Sequence, residues 1–389
     1  MEEHKKKRIL YLIYSSDVKS GGGHFYTLLT LVEKMSKFID FKILNVGLIY
    51  PLVLKNNSLP SDFIPISKGT YYNDLSKLRL SIKEFDPNVI HAFDLNSLRA
   101  ARSINYKKVP IVFNKCGGVN GPKVVADAAA YICFSEENLI HIKKYKSNNS
   151  PLYLIPNRAT KIISDNDRIN QLKSDYSLDS KKVLLRISRF SEMHELSILQ
   201  AVNLFKLIHE GDKDSCLFLI GIVQSEDVLA RITAAADGFP VHIITDEYFC
   251  KDASGLIDVA DIVIATGRGV MEAASLGKII FCPVEGESLP APLNAENFQI
   301  MSKFNFSGRT RGITVEIADI VRQIHNESDE LSAFSTKMFT EQFDIEAVIP
   351  KYLDIYETAK YDRPTMRSFI NYCYDMLYFF KPNINLKKA

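Results

Sequence analysis

The chain has 389 residues, of which 46% are hydrophobic and 24% charged, and its formal net charge at pH 7 is +2. This length predicts two domains, and this composition excludes a chain dominated by disorder. No run approaches the roughly 18 apolar residues of a membrane helix, and the basic start lacks the small-residue cleavage site of a secretory signal. The six cysteines form no C-x-x-C pair, which is typical of reduced core thiols rather than a zinc site or a disulfide framework. We therefore expect a cytoplasmic protein.

Charge is unevenly distributed along the chain. Residues 1–160 contain 23 Lys and Arg against 13 Asp and Glu, whereas residues 161–389 contain 25 against 33. A basic first half predicts attraction to an anionic surface, of which a membrane leaflet is one candidate. The alternative is a solvated lysine-rich surface without a partner. We expect no nucleic-acid partner.

The first part of the chain alternates short β-rich runs with helical stretches. The predicted strands are 8–14, 41–49, 89–92, 111–114, 130–134 and 152–155, and the predicted helices are 23–37 and 74–85. Such alternation predicts parallel strands joined by helical crossovers.

A second alternating series starts at Lys182 with the strand VLLRIS. It continues through the strands CLFLIG, VHIIT, DIVIA and KIIF, with helices predicted near 196–209 and 225–236. The polar stretch 156–181 carries no sustained period, so we predict a hinge there. The sequence thus predicts an α/β fold of two doubly wound, Rossmann-like domains facing a cleft, 1–160 and 161–345, followed by a final segment 346–389.

The segment DIVIATGRGVMEAASLGKIIF suits an anionic ligand. Gly267 and Gly269 let the backbone approach closely, and the helix that follows is expected to offer unpaired N–H groups and a partial positive charge. Arg268 adds a forked donor for phosphate, and Glu272, one turn in, is placed to accept hydrogen bonds from ribose hydroxyls. Gly277 is predicted to end the helix. The alternative is an ordinary strand-to-helix corner.

Further candidates lie in the loops after other predicted strands, where ligands bind in open α/β sheets. The run SSDVKSGGGH ends at His24 and lets a substrate approach the backbone, and a flexible loop is the alternative. His91 and Asp94 follow the strand NVIHAFD, although a histidine at the end of a buried strand is more often a core residue. Lys115 follows VPIVFN, as a phosphate contact or an exposed turn lysine.

The loop ISRFSEMHE follows the first strand of the second series. Arg189 in this loop is predicted to face residues 267–270 across neighbouring strands and to clamp a diphosphate. His194 lies in the same loop, above the sheet.

The order of these features resembles the GT-B glycosyltransferases, specifically the family-four-like retaining enzymes of bacterial polysaccharide and lipopolysaccharide assembly. The resemblance covers nearly the full length, and IPNR and G-R-G-x-x-E-A are its most specific parts. The matching segments are the first Gly-rich loop with Gly22 and Gly23, PNVIHAFD, ICFSE, IPNRAT, ISRF and GRGVMEAASLGKIIF.

This resemblance implies a nucleotide-diphosphate sugar held mainly by the C-terminal domain and a glycan or lipid-linked acceptor on the N-terminal domain. Arg189 would contact the diphosphate and Glu272 the ribose, and with His24 they form the implied catalytic set. The other implied donor contacts are Gly22, Gly23, His194, Gly267, Arg268, Gly269 and Val270. His91, Asp94 and Lys115 are weaker candidates for acceptor or phosphate contacts. No metal and no cofactor is expected, because arginine and backbone amides would stabilise the leaving diphosphate.

Three positions depart from the family pattern. The position eight before Glu272, usually a second glutamate, is Ile264. The basic residue five after the loop arginine is His194 instead of lysine, and imidazole is largely neutral at pH 7. Cys116 stands where a histidine is common. These departures leave two alternatives open, a catalytically silent GT-B protein that binds a sugar nucleotide or a partner, and a GT-B sugar-nucleotide epimerase.

The last segment contains two predicted features. PKYLDIYETAKY resembles the last family helix, which crosses back to the first domain. Beyond it an apolar stripe recurs at spacings of three and four, comprising Met366, Phe369, Ile370, Cys373, Met376, Leu377 and Phe380. The stripe predicts an interfacial helix at the inner face of the cytoplasmic membrane, or a helix docked on the protein's own surface.

Overall fold

The computed structural model describes residues 6–361 except 17–21, 67–70, 105–107, 122 and 124, and beyond them residues 366, 369, 370 and 373. The chain forms two compact units. The first comprises the chain up to Ile155 together with the chain from Ile345 onward, and the second is Pro156–Asp344. The predicted α/β class with two Rossmann-like units is confirmed.

The first unit is built on a parallel sheet that has seven strands within the described residues, in the order β3-β2-β1-β4-β5-β6-β7. The strands β1–β7 are Lys7–Ser15, Ile39–Gly47, Ser61–Pro65, Val89–Ala92, Ile111–Lys115, Ala130–Cys133 and Leu152–Leu154. The helices α1–α5 are Gly23–Met35, Leu52–Lys55, Tyr71–Phe85, Leu95–Ile104 and Glu136–Tyr145.

Both faces of this sheet are covered. Along β1, Ile9 and Tyr11 belong to one hydrophobic cluster, while Leu10 and Leu12 between them belong to another. Successive side chains of a strand point to opposite faces, so an uninterrupted apolar run is what a strand buried on both faces requires. The run RILYLIY therefore specifies a central strand.

The second unit contains a six-stranded sheet within its described residues, in the order β10-β9-β8-β11-β12-β13, and only β13 is antiparallel. The strands β8–β13 are Lys182–Ile187, Ser215–Ile220, Val241–Ile244, Ile262–Ile264, Ile279–Cys282 and Ala291–Pro292. The helices α6–α13 are Asn166–Tyr176, Glu195–Gly211, Glu226–Ala236, Glu247–Cys250, Arg268–Ala274, Phe298–Lys303, Ile317–Asn326 and Ser328–Met338. A 3-10 helix spans Ala253–Val259.

The stretch 156–181, where we predict a hinge, contains the helix α6, which the sequence analysis did not predict. The carboxylate of Asp165 accepts a hydrogen bond from the Arg168 N–H and so caps the first turn. Ile169 and Leu172 are buried against the second unit's core. The segment is too polar to show a helical period, but two apolar anchors and one cap suffice to fix a helix.

The helix α14 (Ile349–Thr358) belongs to the first unit. Its buried side chains join the same cluster as those of β1. The hydroxyl of Tyr356 lies 2.7 Å from Nδ1 of His91 and donates to the hydroxyl of Tyr11 at 3.2 Å. These hydrogen bonds between buried side chains attach α14 specifically rather than by apolar contact alone.

Beyond Tyr361, the described residues of the predicted apolar stripe are exposed. The exposed fractions of Met366, Phe369 and Ile370 are 77%, 59% and 60%, and Cys373 is also exposed. The rest of the predicted stripe lies outside the described residues.

Candidate functional site

The strand order of the second unit's sheet shows at which edge a ligand is expected to bind. In the second unit, the chain proceeds from β8 to β9 on one side and from β11 to β12 on the other, while β8 and β11 are neighbours. Connections that leave neighbouring strands in opposite directions open a crevice at their carboxyl ends, where ligands of such sheets bind. The predicted residues Arg189 and His194 follow β8, and Gly267 follows β11, so both loops border this switch point.

Backbone contacts hold the loop after β8 in place. The Ser188 N–H donates to the Ile220 carbonyl at 2.9 Å, and Phe190, 1% exposed, anchors the loop in the core. A Cβ on Gly221 would lie 1.8 Å from the Ser188 oxygen, so only glycine permits this approach. Arg189, partly buried between these two anchored residues, is thereby positioned at the sheet edge.

His194 is the residue before α7 and is partly buried. Burial, followed by the positive charges of Arg186 and Arg189, lowers the pKa of its imidazole to about 4. His194 is therefore neutral at pH 7, and it adds no charge where the resemblance would place a lysine.

This lowered pKa predicts that stability depends on pH. Because the folded-state pKa of about 4 lies below the ordinary 6.5, the unfolded chain binds more protons between these values. The free energy of unfolding should therefore fall as the pH drops from 6.5 towards 4, by up to about 1.4 kcal/mol per pH unit for this group. Urea unfolding at several pH values should show a shallower dependence in His194→Asn than in the wild type. Equal slopes would contradict the prediction.

The turn after β11 has an unusual backbone. Gly267 has φ +52° and ψ −125°, a conformation that favours glycine. Asn305 and Phe306 also have positive φ, +52° and +53°, and a Cβ on Gly267 would lie 3.4 Å from Asn305 Nδ2. Non-glycine residues in this region are strained, and such strain is concentrated at functional sites. Asn305 therefore lies beside Gly267 at this turn, a neighbour that the sequence analysis did not identify.

Two N–H groups at the start of α10 have partners within the turn. The N–H groups of Gly269 and Val270, predicted as ligand donors, already donate to the carbonyls of Thr266 and Gly267 at 3.1 Å. The side chain of Val270 is fully buried in the core. The amides at these two positions are therefore used by the turn itself.

The helix α10, predicted to end at Gly277, ends at Ala274, and Gly277 lies in the turn that follows it. Gly277 has φ +64°, and its N–H donates to the Ala274 carbonyl at 3.0 Å. A Cβ at this position would lie 2.8 Å from Oγ1 of Thr336, so a side chain would disturb both the turn and the packing of α13.

Arg268 and Glu272 form an ion pair. Nε of Arg268 lies 2.7 Å from Oε1 of Glu272, and the side chains are 10% and 15% exposed. Nη1 of Arg268 also donates to the Arg158 carbonyl at 3.2 Å. Within the described residues, Oε2 of Glu272 receives no hydrogen bond. The pair therefore fixes the carboxylate's orientation and leaves one oxygen for a hydroxyl donor.

The predicted residues of the first unit lie at the start of α1. Gly22 is the residue before the helix, and the Gly23 carbonyl accepts a hydrogen bond from the Thr27 hydroxyl at 2.8 Å. His24 occupies the first turn, partly buried, with its ring centroid 4.4 Å from that of Phe25. Residues 17–21 of the same Gly-rich loop lie outside the described residues.

The weaker candidates His91, Asp94 and Lys115 have structural partners. His91 is fully buried, and burial lowers its pKa to about 3, which favours the core interpretation. Asp94 caps α4, because its Oδ1 accepts from the Ser97 N–H at 2.8 Å, and burial raises its pKa to about 6. Lys115 donates to the Val119 carbonyl at 2.9 Å. These contacts support structural roles for His91 and Asp94.

Solved structures match this chain, whereas no protein-family model and no curated protein does. HepE (Alr3699) of Anabaena, in complex with UDP and glucose, matches with a TM-score of 0.67 and 14% identity, over 90% of this chain and 100% of that chain. A glycosyltransferase from Rickettsia africae gives 0.61 and 11%, over 90% and 98%. MnaA of S. aureus, with UDP, gives 0.56 and 13%, over 92% and 99%.

These neighbours are GT-B proteins. The chain has the GT-B fold.

The structure shows where two of the departures from the family pattern lie on this fold. Ile264 is the last residue of β11 and is fully buried among apolar side chains. Cys116 donates its thiol to the Phe93 carbonyl at 3.3 Å and accepts from the Asn114 amide at 3.1 Å. Neither position presents a charged or basic group.

Within the described residues, two features are absent. No group of three or more His, Cys, Asp and Glu side chains is arranged to hold a metal ion among the described residues. Of the helices described, none is long and apolar enough to cross a membrane.

Proposed function

We propose that this chain is a glycosyltransferase that moves a sugar from a nucleotide-diphosphate sugar to a glycan or lipid-linked acceptor in the assembly of cell-surface polysaccharide. The observation that carries the proposal is the switch point of the second sheet on a GT-B fold. There, Arg189 lies in one bordering loop and the oriented carboxylate of Glu272 lies one turn beyond the other. Arginine suits a diphosphate, and a carboxylate oxygen suits a pair of ribose hydroxyls.

In the proposed reaction no side chain of the protein acts as a nucleophile. The acceptor hydroxyl attacks from the same face of the sugar, the bond between the sugar and the diphosphate breaks, and the hydroxyl proton passes to the departing diphosphate, whose negative charge Arg189 stabilises. Electrostatic stabilisation that is in place before the reaction is then the main catalytic contribution. The loop of Gly22, Gly23 and His24 is assigned to the transferred sugar, and no metal is required.

Ligand binding to the purified protein tests the donor. HepE was solved with UDP and with UDP-glucose, so these are the first ligands to use, beside the diphosphates of guanosine, adenosine and cytidine. A ligand at 100 times its Kd raises the free energy of unfolding by about 2.7 kcal/mol, which a thermal-shift assay detects. Stabilisation by one diphosphate and release of that diphosphate from its sugar in the presence of a glycan acceptor support the proposal. No stabilisation by any of the four contradicts it.

A catalytically silent GT-B protein is the second candidate. It is favoured by the apolar, fully buried Ile264 and by the neutral His194, two positions where the family pattern has charged groups. Such a protein would bind the sugar nucleotide without releasing the diphosphate. Binding and turnover measured on the same preparation separate the two functions.

We also propose that the protein works at an anionic membrane surface on the inner face of the cytoplasmic membrane. The basic residues 1–160 supply the electrostatic attraction, and the exposed Met366, Phe369 and Ile370 supply an apolar face. A lipid-linked acceptor would be found at the same surface.

Sedimentation with vesicles checks this location. Vesicles rich in phosphatidylglycerol should carry the protein into the pellet at low salt, whereas phosphatidylcholine vesicles should not. Phe369→Asp should weaken the association by about tenfold, because an apolar side chain contributes about 1.5–3 kcal/mol on burial. Ile163→Asp is the matched control, since Ile163 is 89% exposed in the second unit. Equal losses in both variants would contradict the assignment of the tail.

A further inference from the structure

Arg186 is an arginine inside an apolar strand. It lies in β8, at the centre of the second sheet, and its residue is 3% exposed. Burial lowers the pKa of its guanidinium to about 10, so the group still carries its charge at pH 7. The sequence VLLRIS contains the signal, because a charged residue is almost never fully buried in a strand unless it has a partner.

No carboxylate provides that partner. Within the described residues, Arg186 forms no ion pair, and its Nε has no hydrogen-bond acceptor. The thiol of Cys282, which interacts with it electrostatically, is neutral because burial raises its pKa. An isolated buried charge is strongly unfavourable, so its retention calls for a compensating interaction.

The neutral groups that Arg186 does contact lie in the two loops of the switch point or in the elements next to them. Its Nη2 donates to the Ser197 hydroxyl at 2.8 Å, the Thr266 hydroxyl at 3.2 Å and the Ser188 hydroxyl at 3.3 Å. Nη1 donates to the Ile264 carbonyl at 3.3 Å. Ser188 immediately precedes Arg189, and Thr266 immediately precedes Gly267.

The positive charge of Arg186 also acts electrostatically on the loop after β8. It contributes to the lowered pKa of His194, together with the charge of Arg189. Two guanidinium groups thus act on the same short loop, one from within it and one from beneath it, and a low dielectric strengthens the field of the buried one.

We propose that Arg186 is a buried counter-charge for an anionic ligand of the diphosphate class, which it attracts through its field while it holds the loops after β8 and β11 together. It is a positioning residue and need not touch the ligand. The identity of the ligand as a nucleoside diphosphate rests on the proposed function, whereas the counter-charge role requires only an anion.

Arg186→Met tests the proposal, because methionine fills a similar space without charge. The protein without ligand should be as stable as the wild type or more stable, because the cost of burying a charge without an ion-pair partner exceeds the contribution of its hydrogen bonds to neutral groups. The affinity for inorganic pyrophosphate and for UDP, measured by calorimetry, should fall by at least about tenfold, while the affinity for uridine changes less than about twofold. Stability and affinity therefore move in opposite directions.

A purely structural role gives the opposite pattern. If Arg186 only supports the fold, Arg186→Met lowers the unfolding temperature and leaves the pyrophosphate affinity of the folded protein unchanged, which overturns the proposal. Unchanged pyrophosphate affinity in a stable variant, or a wild type that does not bind pyrophosphate, also overturns it. Should Arg186→Met not fold, Arg186→Lys keeps the charge and loses the fork. The affinity of Arg186→Lys for UDP should lie within about threefold of the wild-type affinity. A tenfold loss of affinity would reject a charge-based role.

These outcomes are distinct from those of the proposed function. If the protein binds pyrophosphate through Arg186 but transfers no sugar, the counter-charge role of Arg186 is supported and the proposed glycosyltransferase activity is rejected. If Arg186→Met transfers sugar as well as the wild type does, the proposed glycosyltransferase activity is supported and the counter-charge role is rejected.

Discussion

Glu272→Ala is expected to weaken the binding of uridine and of UDP alike, by at least about tenfold. The lost interaction is a pair of hydrogen bonds from ribose hydroxyls to a carboxylate, and a single hydrogen bond to a charged group contributes about 1.5–3 kcal/mol. The substitution also leaves Arg268 without the carboxylate that lies 2.7 Å from its Nε. Calorimetric titration of both ligands measures the effect.

Two further variants define the role of Glu272. Arg189→Ala should weaken UDP by a similar factor but leave uridine unchanged, because the proposed contact is with the diphosphate. Asp258→Ala is the matched control, since it removes a carboxylate from another ion pair of the same unit, 2.9 Å from Lys278. Wild-type affinity in Glu272→Ala, or an equal loss in Asp258→Ala, would reject the assignment of the ribose site.

Gly221→Ala is expected to destabilise the protein by about 3 kcal/mol, at the upper end of the usual range for overpacking. The added Cβ would lie 1.8 Å from the Ser188 oxygen, which is a backbone atom and cannot move aside as a side chain would. The loop that carries Arg189 must then shift. Urea unfolding measures the stability, and nucleotide titration of the folded variant should show a weaker site.

Gly211→Ala provides the control for this prediction. Gly211 is the last residue of α7, and a Cβ there would meet nothing within 4 Å. We expect its free energy of unfolding to differ from that of the wild type by less than about 0.5 kcal/mol, or to rise, because alanine favours a helix. Similar losses in both variants would mean that the close approach at Ser188 does not limit stability.

Most of the fold could be predicted from the sequence because its central strands are buried on both faces. Runs such as RILYLIY and VLLRIS show no alternation of apolar and polar residues, as expected of strands buried on both faces. The observed β1 and β8 agree with these runs to within one residue. The edge strand β3 was missed because SDFIP is short and its residues are mostly not buried. The helix α6 was missed for a related reason, since only three of its residues are buried.

The candidate site was predictable in position but not in detail. Glycines and an arginine directly after buried strands are a local signal, and they identified both loops of the switch point. The ion pair of Arg268 and Glu272 could have been predicted from their i,i+4 spacing, which brings opposite charges together on a helix. The convergence of Arg186, Thr266 and Ser197 was not available, because it depends on which strands are neighbours in the sheet.

The return of α14 to the first unit has a consequence for synthesis. Tyr356 completes the core around His91 and Tyr11, although more than 260 residues separate it from either of them along the chain. As the ribosome extends the chain, all of Pro156–Asp344 is made before this helix exists. We therefore expect the second unit, although begun later, to fold first. Until α14 is made, the sheet of the first unit keeps part of one face uncovered.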